Sequence, residues 1–173
     1  MKITRHLSVI LFLFGITLSV NADAQRAPRT PRQKAAVHHA DKIHARRVLR
    51  RTAFVINHAQ KQVRENKNYT GDLARAVAHQ RFARKLYLQG KFLRAMHQSR
   101  RARSFAILAI KANKGTESAD MKLDPEDDAV MNDSPVSDAD LDKELETASP
   151  GYSQKDEDFI NAAISDIDLS DVE

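Results

Sequence analysis

Six histidines follow residue 24: His38, His39, His44, His58, His79 and His97. A metal ion held by imidazoles needs them to converge, commonly as an i, i+4 pair on one helix. No neighbouring pair in this set has that spacing, and carboxylates are scarce around them, so no metal and no cofactor is expected. Hydroxyl nucleophiles fare no better. Ser99 and Ser104 have no base-and-orienter arrangement beside them, and the chain contains no cysteine. The Asp-rich C-terminal stretch lacks the glycine and closing glutamate of an EF-hand loop. The chain is therefore expected not to be an enzyme, and no small-molecule substrate is implied.

Arginine is the residue that recurs with a pattern. Arg46, Arg47, Arg50 and Arg51 fall in one stretch, and Arg94, Arg100, Arg101 and Arg103 in another. Such density can neutralise phosphates by counterion release, which suits an anionic polymer or membrane surface such as nucleic acid or lipopolysaccharide. No aromatic-rich RNA-binding signature interleaves these residues. Instead, helical spacing projects Ile43 and Phe54, and again Leu93, Phe105 and Leu108, outward beside arginines. Arg46, Arg47, Arg50, Arg51, Phe54, Arg94, Arg101, Phe105 and Leu108 thus form a candidate docking set. It suits an acidic amphipathic protein partner, or the chain's own acidic half. Arg47-Val48-Leu49-Arg50 also matches the R-x-L-R string of secreted, host-targeted effectors, a minor alternative in which the usual acidic follow-up is missing.

The elements that must position these residues are punctuated clearly. Lys2 and Arg5, an apolar run over residues 7–20, and Ala22-Asp23-Ala24 have the three-part form of a secretory signal peptide cleaved after Ala24. Export to the periplasm or outside the cell is expected. A short linker (25–32) precedes a basic segment (33–115), and an acidic one (116–173) follows. Residues 25–115 hold 23 Lys and Arg against three acids, a net +20, whereas residues 116–173 hold three Lys against 19 acids, a net −16. The overall +5 conceals that division.

Three helices are predicted in the basic segment. Thr30-Pro31-Arg32-Gln33 reads as a helix start, and neither Gly nor Pro interrupts the chain from there to about Asn66. Ala45, Leu49, Thr52, Ile56, Ala59 and Val63 form its apolar stripe, widened by Val48 and Val55. Thr70 is placed to cap a second helix bearing Leu73, Ala76, Val77, Phe82, Ala83, Leu86 and Tyr87. Gly90 marks a turn, and Phe92, Ala95, Met96, Ser99, Ala102, Ala106 and Ile110 line a third helix ending near Gly115.

The order Ala78, Phe82, Ala83, Leu86, Tyr87, Gly90, Phe92, Ala95, Ala102 resembles a tetratricopeptide helix pair over residues 76–107. The resemblance implies a partner-binding helical hairpin. His79, Ser99 and Arg103 stand where that family favours aromatic or aliphatic residues.

After Gly115 the high charge and low hydropathy predict disorder. Two islands interrupt it, one with Leu141 and Leu145 a turn apart. The other is a short helix over residues 156–167 whose Phe159, Ile160, Ile164 and Ile167 would anchor the tail near Phe105 and Leu108, with its acids facing Arg94 and Arg101. The combined expectation is an all-α chain. It comprises a three-helix bundle, made of a tetratricopeptide-like hairpin plus a long N-terminal helix, and a largely disordered acidic C-terminal tail. The expected role is that of an exported, non-enzymatic interaction or scaffold module whose partner is an unknown protein or its own tail.

Overall fold

A computed structural model describes residues 30–169. The expected signal peptide (1–24) and residues 25–29 of the expected linker lie outside the described residues. Among those described the chain is all-helical, with no strand: α1 (Pro31–Asn66), α2 (Asp72–Leu88), α3 (Phe92–Ala112), α4 (Pro125–Asn132) and α5 (Asp138–Ala148), with 3-10 turns at Ala119–Met121, Asp156–Asp158 and Ile164–Asp166.

α1 is 36 residues long, roughly 54 Å at 1.5 Å per residue. Its stripe of Ala45, Val48, Leu49, Thr52, Val55, Ile56, Ala59 and Val63 is wholly buried. The first three turns are mostly exposed, although the His38 ring reaches the Phe92 ring at 4.8 Å. α2 folds back along α1, placing Gln80 against the Leu49 carbonyl, and α3 returns alongside α1, placing Arg103 against Thr52. Small residues make the close approach possible. Ala74, Ala76, Ala83, Ala95, Ala102, Ala106 and Ala109 are all buried. Between α2 and α3, Gly90 adopts φ 74°, a left-handed conformation that side chains with a Cβ resist. Its N–H donates to the Tyr87 carbonyl at 2.9 Å and closes the helix end.

The three positions at which the hairpin departs from the tetratricopeptide pattern are buried and polar. Ser99 donates to Gln80 at 2.9 Å, His79 meets Gln98 at 2.7 Å, and Arg103 donates to Thr52 at 3.2 Å. They form a polar seam through an otherwise alanine-rich interface.

Three expectations require correction. Thr70 is not the N-cap of α2, which is Gly71 at φ 84°; its hydroxyl donates to the Asp72 side chain at 2.8 Å and accepts from the Asp72 N–H at 3.4 Å. The acidic half is not a largely disordered tail over its described residues, but carries α4, α5 and three 3-10 turns laid across the basic helices. Met121, Met131, Leu141, Leu145, Phe159, Ile167 and Leu169 are buried there. They are widely separated in sequence, so mean hydropathy stays low while each side chain still fills its own depression. Burying a side chain of this size contributes about 1.5–3 kcal/mol, more than an exposed ion pair at about 0–1 kcal/mol. Local signals also help. Pro125 opens α4 with Glu126, Asp127 and Asp128 in its first turn, and the Ser137 hydroxyl accepts from the Asp140 N–H at 3.1 Å to cap α5.

The single helix expected over 156–167 is replaced by two separate 3-10 turns. Gln60 donates to the Phe159 and Ala162 carbonyls at 2.8 and 3.2 Å, and the Ala162 N–H closes back on the Phe159 carbonyl at 3.0 Å. That closure is tighter than an α-helical turn and diverts the chain along α1 and α2.

Candidate basic docking faces

The arginine clusters stand on α1 and α3 because α-helical spacing returns them to the flanks of the buried stripes. On α1, Arg47 donates to both carboxylate oxygens of Asp127, at 3.1 and 2.9 Å, and to Glu126 at 3.0 Å. His44 Nδ1 lies 2.8 Å from the same Asp127, and Arg51 pairs with Asp124. The Asp127 side chain is fully buried. Burial pushes its carboxyl up, but the hydrogen bonds from Arg47 and His44 outweigh it and hold the group below the usual carboxylate range. The Asp127 hydrogen bond in turn raises Arg47 above its ordinary value.

On α3, Arg94 donates to Glu144 at 2.7 Å, while Arg101 grips Asp142 through two nitrogens at 2.8 and 2.7 Å and reaches Asp138 at 2.8 Å. Burial would raise Asp142, yet Arg101 keeps it below the ordinary carboxylate value. Behind this pair lies His79, almost without solvent exposure. Gln98 spends its amide donors on the Leu141 carbonyl and Glu144, at 3.2 and 2.8 Å, so its oxygen accepts from His79 Nδ1. The neutral ring therefore turns its Nε2 lone pair toward Asp142 Oδ1, 3.2 Å away. Protonation would close a second hydrogen bond there, but burial dominates and pushes His79 below its ordinary value. His97, also buried, is pushed down by burial and by Arg100.

α2 receives the last stretch of the chain. Asp156, buried, accepts from the Gly71 and Ala74 N–H groups, both at 2.9 Å, and so caps α2 from 85 residues away in sequence. Arg81 lies 5.3 Å above the centre of the Phe159 ring and pairs with Asp166 at 3.1 Å. Gln80 donates to the Ile167 carbonyl at 2.9 Å and Arg84 to the Asp168 carbonyl at 3.0 Å. Gln60, Gln80 and Gln98, one from each long helix, thus all donate to main-chain carbonyls of the acidic half.

The candidate docking set divides in three. Arg47, Arg51, Arg94 and Arg101 hold carboxylates of the acidic half. Phe105 does not project outward as expected. It is buried, stacked on His79 at 5.5 Å and covered by Arg101 at 4.2 Å, because that side of α3 faces α2 and α5 rather than water. Leu108 stays half exposed, and the anchors seat elsewhere: Phe159 lies beneath Arg81 and beside Gln60. Ile160 is half-buried against the core, Ile167 is buried, and the Ile164 side chain falls outside the described residues. Arg46, Arg50 and Phe54 line a groove of about 640 Å³ along α1 with Ile43, Asn57 and Asp168.

The sequence reading missed Gln60, Gln80, Gln98, Arg103, Asp127 and Asp156. For the glutamines a signal existed: Gln80 falls between Ala76 and Ala83, and Gln98 between Ala95 and Ala102, at core spacing. Arg103 is nearly inaccessible with no carboxylate partner among the described residues, and burial lowers it to about 10. Among the described residues no three His, Asp or Glu side chains converge as a metal site, and no helix is long and apolar enough to cross a membrane. The chain matches no protein-family model, and neither the curated proteins nor the solved structures contain a match to it.

Proposed function

We infer that the chain is an exported, non-enzymatic interaction module: a three-helix bundle of α1–α3 with a tetratricopeptide-like α2–α3 pair, whose acidic half docks on its own basic helices. The observation that carries this reading is the pairing of Arg47, Arg51, Arg94 and Arg101 with carboxylates of the acidic half. Buried Met131, Leu141 and Leu145 beside those pairs give the contact its specificity. Export rests on the charged start, the apolar run and the small-x-small triplet before Gln25. The alternative, a binder of anionic polymers or membrane surfaces, draws on the arginine density and the exposed Arg50. It is weakened because Arg47, Arg51, Arg94 and Arg101 already hold carboxylates.

Retention on immobilised heparin separates the two. The full chain should elute below about 0.15 M salt. A variant with Asp124, Asp127, Asp138, Asp142 and Glu144 neutralised should be retained much longer. Strong, steeply salt-dependent retention of the unmodified chain would favour the polyanion reading instead.

A further inference from the structure

α5 is followed by Ser149-Pro150-Gly151-Tyr152, which has the signature of a type II turn, with proline in the second place and glycine in the third. Gly151 takes φ 67°, and the Tyr152 N–H donates to the Ser149 carbonyl at 3.3 Å. The chain is pinned on either side of this turn. Leu145 is buried before it, and after it Asp156 holds the start of α2. Between those two anchors residues 149–155 cross α2 as an arch, and a cavity of about 410 Å³ lies between arch and helix. That volume falls within the range of about 300–1,000 Å³ usual for small-molecule sites.

One face of α2 makes the floor, since Ala78, Arg81, Phe82 and Lys85 recur at steps of three and four. Leu145 and Phe159, both buried, form further walls, and Tyr152 reaches the cavity from the arch. Three aromatic rings thus meet at one small space. Its charge is unusual for this chain. Elsewhere the cations of the basic helices face carboxylates, as Arg47 faces Asp127 and Arg101 faces Asp142. No Asp or Glu lines this cavity, whereas two cations do. Arg81 is held by Asp166 and by the Phe159 ring. Lys85 is exposed and pairs with no carboxylate among the described residues.

A phosphate would answer Lys85 and leave the rings without a partner. An uncharged hydrocarbon would fill the space among the rings and leave the cation unanswered. A flat ring bearing a carboxylate answers both. We propose that the cavity between α2 and the 149–155 arch binds a small aromatic carboxylate, its ring among Phe82, Tyr152 and Phe159 and its carboxylate on Lys85. The ring must supply most of the affinity, because an exposed ion pair contributes little. This site stands beside the interaction-module role and does not depend on it.

The test titrates the full chain with cinnamate while amide chemical shifts are followed by NMR. Saturable binding is expected, with a Kd on the order of 1 mM or below and the largest shifts at Ala78, Lys85, Tyr152 and Phe159. Cinnamyl alcohol, which keeps the ring and loses the charge, should bind about three- to fivefold more weakly. Lys85→Met should bring cinnamate down to the level of the alcohol. Acetate, the charge without the ring, should not bind measurably. Ala78→Leu fills the floor and should weaken cinnamate about tenfold or more. Tyr152→Ser removes a wall at a half-buried position and should have the same effect, with unchanged melting, even where Ala78→Leu disturbs the fold. Absence of saturable binding, shifts centred on the α1 groove, equal affinity for the alcohol, or indifference to both cavity variants would overturn the proposal.

Discussion

Asp156 carries two hydrogen bonds to the first turn of α2, and no residue near Gly71 replaces them. Asp156→Ala should lower stability by about 1–2 kcal/mol, as loss of an N-cap does. Amide exchange at Gly71 and Ala74 should rise before the rest of α2; unchanged protection there would sink the capping role. Arg47→Ala should cost about 1.5–3 kcal/mol in a urea titration, since it takes several hydrogen bonds from a buried carboxylate. Acid should act in two stages. His79 and His97 sit below their ordinary value of 6.5, so their contribution is complete above that value and declines as pH falls through it, when the unfolded chain takes up protons first. Asp127 and Asp142 sit below the ordinary 3.8, so their contribution survives that first stage and is lost only as pH falls further, through their lowered values. Urea midpoints measured from pH 8 to about 3 test this, and His79→Gln should shrink the first stage only. A flat profile between about pH 7 and 5 would contradict the neutral, buried His79.

The helices of the basic half were readable because their apolar residues recur with helical period and their breaks carry Gly or Asn. All of the stripe residues named on α1, α2 and α3 are buried. Ala102 sits where α3 approaches its neighbours, and Ala102→Leu should overpack that contact at about 1–3 kcal/mol, read as a drop in thermal midpoint. An unchanged midpoint would place Ala102 at the surface. The acidic half was harder to read. Its anchors Met121, Met131 and Leu169 belong to no periodic run, and Asp127 is one of 19 acids with nothing local to single it out. Phe105 was misread for the complementary reason. Its period places it off the main stripe of α3, and His79 and Arg75 of α2, together with Arg101, enclose it. Tertiary partners of this kind leave no trace in a single helix's pattern. The groove on α1 was readable as exposed Ile43 and Phe54, though which arginines would be taken by the chain itself was not.

For the molecule as a whole, two kinds of force hold the halves together, and salt separates them. Screening weakens exposed pairs such as Arg81–Asp166 but leaves buried Leu141, Leu145, Phe159 and Ile167 in place. Raising sodium chloride from about 0.05 to 1 M should therefore speed amide exchange in α4 and α5 modestly without releasing them. Full exchange of both helices at high salt would show that charge alone binds the halves. The cap on α2 also sets a clock. Gly71 is made 85 residues before Asp156, and at roughly 5–20 residues per second that interval lasts about 4–17 s. During it the arginines of α1 and α3 stay uncovered until Asp124, Asp127, Asp138, Asp142 and Glu144 are made, and the start of α2 stays uncapped until Asp156 follows. Chains arrested before residue 120 should accordingly be cut by protease near Gly71 and cling to polyanions, and both behaviours should cease once the last fifty residues have emerged. The order of the two halves along the chain thus gives every newborn molecule a brief sticky childhood, ended by its own final residues.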